Sequence, residues 1–247
     1  MPTAPTPERS VVQAPVTLIL ITCMLLATLP GLSFPKVDKL FNPASELPYF
    51  WQFITGSFTH GWAFLPPLIH LSANLALFFF VGPWTERLLG SARYLLLMLA
   101  AILAAGLVRR FPDFGPPGAS AFILACGPVL FYRWTAIRTN PDQPAYRKLW
   151  LGLLVLGSML AVPLVYGTWL AHQSSSPLLA ILQANAVHLT AFVVGGLAVL
   201  VWRPRLVNRR LPETGFQATL DRVAAISSGL LPTAMVILIV LGALKKL

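Results

Sequence analysis

Ser120 follows Gly118-Ala119 at the start of one apolar run, and His188 lies inside another. A serine hydroxyl is a weak nucleophile until a neighbouring base takes its proton, and imidazole commonly serves as that base. Neither run contains Asp or Glu, so the pair reads as a dyad rather than a triad. In a third apolar run His70 and Asn74 are four residues apart and share one face of a helix. Polar donors converging on one point suit the oxyanion of a tetrahedral intermediate. Each residue also has a plainer use. A serine allows close helix packing, and His188 or the His70–Asn74 pair can hydrogen-bond between helices. The chemical reading gains from the cost of polar groups in hydrocarbon, which makes intramembrane histidines functional suspects.

The elements that must position these residues are membrane helices. The chain has 247 residues, is 56% hydrophobic and only 11% charged, and has a mean hydropathy of +0.73. Soluble domains carry about 25% charged residues. The net charge of +10 does not mark a nucleic-acid binder, because Lys and Arg fall in short loops between apolar runs rather than in a basic soluble domain. The four histidines form no HExxH and have no acidic residues at ligand spacing within a run, so neither a metal nor any other cofactor is expected. Cys23 and Cys126 lie in apolar runs and read as packing thiols.

The apolar runs cover approximately 15–32, 64–83, 93–108, 119–136, 149–170, 178–202 and 223–244. Each approaches the roughly 20 residues needed to cross a bilayer. Arg9 is the only basic residue ahead of the first run and no clear cleavage site follows it, so that run reads as an anchor. Most Lys and Arg residues fall in loops on the N-terminal side, which the positive-inside rule makes cytoplasmic. Lys245-Lys246, beyond the last run, count mildly against that orientation. With the N-terminus inside, the second, fourth and sixth runs all descend from the outer face. His70, Asn74, Ser120 and His188 then fall in the outer third of the membrane, at about 1.5 Å of rise per residue.

The expected organisation is a cytoplasmic tail over 1–14, a six-helix core over 15–203, a basic cytoplasmic linker over 204–222, and a further transmembrane helix within 223–247. Within the core, 33–63 holds Pro35, Pro43, Pro48 and the aromatic cluster Tyr49-Phe50-Trp51, and reads as an interfacial outer loop. Leu211-Pro-Glu-Thr-Gly215 spells a sortase sorting signal, but the topology puts it on the cytoplasmic side, out of a sortase's reach, and it is read as coincidence.

Four short motifs, in order and on the right runs, resemble those of the rhomboid intramembrane serine proteases between about Trp51 and Gly196. His70-Leu-Ser-Ala-Asn74 is similar to the family's HxxxN. Gly82-Pro-Trp-Thr-Glu86-Arg-Leu-Leu-Gly90 fits GxxxExxxG around the second cytoplasmic turn. Gly118-Ala-Ser120-Ala resembles the GxSx nucleophile motif, and Asn185-Ala-Val-His188 with Ala191 and Gly195 resembles the sixth-helix pattern. Ala121 and Ala191 stand where the family usually has Gly, and Trp51-Gln52 where it has Trp-Arg.

The resemblance implies an all-α membrane fold, a six-transmembrane-helix bundle plus a seventh C-terminal helix. It implies Ser120 as nucleophile, His188 as base, and His70, Asn74 and the Ser120 backbone N–H as oxyanion donors. Glu86 would tie the cytoplasmic turn. The substrate would be a membrane protein cut within its transmembrane helix, at the lipid bilayer of a bacterial inner membrane. The competing class is an inactive rhomboid-like protein that binds transmembrane helices as a chaperone or sits as a subunit of a larger membrane complex. Presence of both Ser120 and His188 favours the protease.

Overall fold

The computed structural model describes residues 14–34, 51–60, 66–111, 118–137 and 176–208, with positions 157, 161 and 168 between them. Nearly all of the run 149–170, the whole C-terminal run 223–244 and the LPETG segment lie outside the described residues. All regular structure among the described residues is α-helical: α1 (Pro15–Ser33), α2 (Gln52–Thr55), α3 (Pro67–Leu89), α4 (Ser91–Val108), α5 (Ser120–Leu124), α6 (Cys126–Ile137) and α7 (Pro177–Asn208). Among the described residues four stretches of at least 18 residues, Pro15–Leu32, Pro67–Leu89, Ser91–Val108 and Asn185–Arg203, are long and apolar enough to cross a membrane.

Local chemistry sets the helix ends. Proline opens α1, α3 and α7, at a position where its missing N–H costs nothing and its fixed φ suits the helix. Gly90, with φ +82°, ends α3 and starts α4 without any intervening loop, a conformation that disfavours a side chain. Glu86 lies one turn before that corner. Its carboxylate accepts the backbone N–H groups of Val16 at 3.1 Å and Thr17 at 2.8 Å, the Thr17 hydroxyl at 2.8 Å and the Ser91 hydroxyl at 2.7 Å. It therefore caps the start of α1, where free N–H groups and the helix dipole favour an anion, and ties the α3–α4 corner to it. The motif expected around the turn lies mostly inside α3: Gly82 and Glu86 are helical, and only Gly90 is at the corner.

The run 119–136, read as one span, is interrupted. Ala125 forms a turn between α5 and α6. Pro128 supplies the reason, because it has no N–H to return to the Leu124 carbonyl and its ring crowds that group. Conversely, α7 extends past the expected end of its span and is helical through Asn208.

The core gathers Phe78, Tyr94, Met98, Ile102, Phe122 and Leu130 from α3 to α6, with α7 packed along α4 and α6. Close contacts rest on glycines. A Cβ at Gly195 of α7 would lie 2.3 Å from the Ala125 carbonyl oxygen, and one at Gly106 of α4 would lie 2.2 Å from that of Phe53. A Cβ at Gly82 of α3 would meet the Thr17 methyl at 2.8 Å. Leucines such as Leu96, Leu103, Leu107, Leu178 and Leu200 point outward and exposed, as they do in a bundle whose solvent is lipid.

Candidate active site

Ser120 opens α5, and His188 lies about three turns into α7. Ser120 Oγ is 2.7 Å from His188 Nε2, within hydrogen-bond reach for a nucleophile and its base. The two helices meet because Ala191 is fully buried and Gly195 brings α7 against the turn at Ala125. The buried Asn185 uses its amide nitrogen on the Ile181 carbonyl one turn back, at 2.8 Å. For Nε2 to accept the serine proton, Nδ1 must carry the ring hydrogen. His188 Nδ1 is buried without a hydrogen-bond partner among the described residues. No carboxylate reaches the ring there among the described residues.

His70 and Asn74 both lie buried on α3 beside the segment that leads into Ser120. A Cβ at Gly118 would meet His70 Cε1 at 3.0 Å and Nε2 at 3.3 Å, and Asn74 Nδ2 at 3.8 Å. Gly118 also has φ +155°. The backbone conformation favours glycine two residues before the serine, and a side chain there would press on the His70 ring.

Asn74 has a partner the sequence analysis did not assign to the site. Its Nδ2 lies 2.9 Å from His60 Nε2, and His60 Nδ1 lies 3.0 Å from Thr28 Oγ1 of α1. Thr28 Oγ1 is also 3.0 Å from the Phe58 carbonyl. One proton arrangement satisfies the whole chain. The Phe58 carbonyl can only accept, so the single Thr28 hydroxyl hydrogen goes there. Thr28 then accepts from His60 Nδ1–H, and His60 Nε2, left with its lone pair, accepts from the Asn74 amide. His60 is thereby fixed as one neutral tautomer. Burial, then the charge of His70, holds its imidazole well below the usual histidine range. The His60 and His70 rings meet edge to face at 4.9 Å between centroids. Asn74 Oδ1 is buried and has no hydrogen-bond partner among the described residues.

No group of three or more potential metal ligands occurs among the described residues. Cys126 is buried in the core and Cys23 is half-buried. Gly82 and Glu86 meet the start of α1 from the far end of α3, away from His70 and Asn74.

A search of curated proteins found no match to the chain. The family model of the Rhomboid domain matches residues 48–205. That stretch runs from just before α2 nearly to the end of α7 and takes in Ser120, His188, His70 and Asn74. With well over half of its length matched to the domain, this chain belongs to the rhomboid family of integral membrane proteins.

Proposed function

We propose that this protein is an intramembrane serine endopeptidase that cuts transmembrane segments of other membrane proteins through a Ser120–His188 dyad. The observation that carries the reading is the 2.7 Å approach of Ser120 Oγ to His188 Nε2. In the reaction, His188 Nε2 takes the hydroxyl proton as Ser120 Oγ bonds to the scissile carbonyl carbon. The carbonyl electrons move onto oxygen, and that oxyanion is received by His70, the Asn74 amide and the Ser120 backbone N–H. His188 then returns the proton to the leaving amine as the peptide C–N bond breaks. Water, deprotonated by the same imidazole, releases the acyl group from Ser120. His60 and Thr28 act behind Asn74, holding its amide nitrogen in one orientation.

By the family resemblance, the outer segment 33–63 and the run 149–170 would admit the substrate helix. The N-terminus is cytoplasmic, in a bacterial inner membrane. The alternative is an inactive member of the family that binds transmembrane helices or serves as a subunit of a larger complex. The arrangement that favours it is the engagement of Asn74 Nδ2 with His60, which leaves the amide only its second hydrogen for an oxyanion.

Reaction with a fluorophosphonate or isocoumarin, followed by mass-spectrometric mapping, tests the reading. The label is expected on Ser120, and neither Ser120→Ala nor His188→Ala protein should take it up. A folded protein that never labels would remove the protease and leave the fold.

A further inference from the structure

Gly118, two residues before α5, is held by groups from other segments. Its N–H donates to the Gly56 carbonyl at 3.2 Å. Its carbonyl accepts Arg109 Nη2 at 3.0 Å, while Arg109 Nη1 donates to Ser57 Oγ at 2.9 Å. The His70 ring lies 3.0 Å from where its Cβ would be. Gly56 and Ser57 are adjacent, so these bonds close a ring: outer loop to Gly118 through the backbone, Gly118 to Arg109, and Arg109 back to the outer loop. Arg109 terminates α4, its backbone N–H returning to the Ala105 carbonyl. Α4 is anchored in the core through Met98 and Ile102 and is pressed against α2 at Gly106.

We infer that Arg109 is a positioning residue for Ser120: its guanidinium clamps the Gly118 carbonyl to Ser57 of the outer loop and fixes the peptide that leads into the nucleophile. The inference rests on the protease reading of Ser120 given above. A peptide unit is planar and trans, so holding the Gly118 carbonyl also sets the direction of the Ala119 N–H and the entry of the chain into Ser120. Arginine suits this task because its rigid fork presents two N–H donors to two acceptors at once, whereas an ammonium is a point donor on a flexible stem. Its placement also runs against composition. On the topology above Arg109 is at the outer end of its span, where basic residues are depleted. A cation there that is directed inward onto two buried partners has a local reason to be present.

The test compares wild-type protein with Arg109→Gln, Arg109→Lys and Ser57→Ala. It measures kcat and KM on a transmembrane substrate, amide hydrogen exchange over 51–60 and 118–124, and thermal unfolding. Arg109→Gln should lower kcat by about 10²-fold, the usual cost of misplacing a reacting group by about an ångström, with KM little changed. Exchange should rise over 118–124 and 51–60 and stay unchanged in α3. Arg109→Lys should recover only part of the rate, and Ser57→Ala should lose less than Arg109→Gln. Wild-type kcat in Arg109→Gln, or full activity in Arg109→Lys, would overturn the clamp. So would a loss of activity that only tracks the unfolded fraction. If the wild-type protein fails to label at Ser120, the protease reading falls by itself and exchange alone decides. Faster exchange over 118–124 in Arg109→Gln upholds the clamp, and unchanged exchange refutes it.

Discussion

A single methyl group at Gly118 would strike the His70 ring at 3.0 Å on a backbone that already sits at φ +155°. Gly118→Ala should therefore misplace Ser120 without removing it, lowering kcat by about 10²-fold while the protein stays folded by circular dichroism. Asn74→Ala should cost about 10²–10³ in kcat if its amide receives the oxyanion, and single-turnover cleavage measures this directly. A packing role would instead shift unfolding and leave specific activity intact. His60 gives a prediction in pH. Its buried imidazole is neutral, and its affinity for protons is lower in the folded than in the unfolded state. The unfolded chain therefore takes up the proton first. Stability contributed by this site is complete above the unfolded histidine value of about 6.5 and falls as pH drops below it. Replacing His60 with Gln should flatten the fall in thermal midpoint between neutral and mildly acidic pH, and an unaltered slope would show that His60 is not the group responsible. Ser120, His188, His70 and Asn74 were legible because polar residues stand out in apolar runs and their order fixes a common depth. His60 and Thr28 were not. One lies in a polar-looking loop, the other is an unremarkable threonine near a helix end, and only the fold brings them together. Arg109 did carry a signal, a basic residue at the outer end of a span, which the charge bias alone does not interpret.

At the scale of elements, α1 is the least embedded of the four described spanning helices, with exposed Ile19, Leu26 and Leu29 along it. It is held by polar bonds at its two ends. Glu86 grips its first turn through Val16 and Thr17, and Thr28 joins it to Phe58 and His60. Lipid is as apolar as leucine, so apolar contact alone does little to hold such a helix in place. Glu86→Gln keeps the shape but loses the charge that strengthens those bonds. A cost of about 1.5–3 kcal/mol is expected, in the range of hydrogen bonds to charged groups, measurable by reversible unfolding in mixed micelles. Gly195→Val presses two methyl groups and their Cβ onto the Ala125 carbonyl. It should destabilise by about 1–3 kcal/mol or more through overpacking and should lengthen the Ser120–His188 distance, lowering activity further than stability explains. The helical runs among the described residues could be read from sequence because hydropathy dictates them. The break at Ala125 could have been read from Pro128, but apolar continuity through 119–136 masked it. The corner motif was legible as a spacing, while its job of capping α1 depends on a contact across 69 or more residues.

For the whole molecule, the positive-inside bias fixes the expectation that the N-terminus and the 133–148 loop are cytoplasmic and the 33–63 segment external. Single cysteines at positions 139 and 45, in a background with Cys23 and Cys126 replaced, test this with a membrane-impermeant thiol reagent. Position 45 should label in intact cells and position 139 only after permeabilisation. The reverse pattern would invert the topology and put LPETG within reach of external enzymes. The central claim, that Ser120 cuts peptide bonds inside the membrane, is met most directly by one comparison. Wild-type and Ser120→Ala proteins are purified, shown to unfold at the same temperature, and reconstituted with membrane proteins whose transmembrane segments carry small or helix-breaking residues. Buried hydrogen bonds in membranes average only about 0.6 kcal/mol, so loss of one hydroxyl should leave the fold intact. The account predicts cleavage near the outer end of the substrate helix by wild-type protein and none by Ser120→Ala. Cleavage that persists in Ser120→Ala, or its absence from wild-type protein across the whole substrate set, would contradict it.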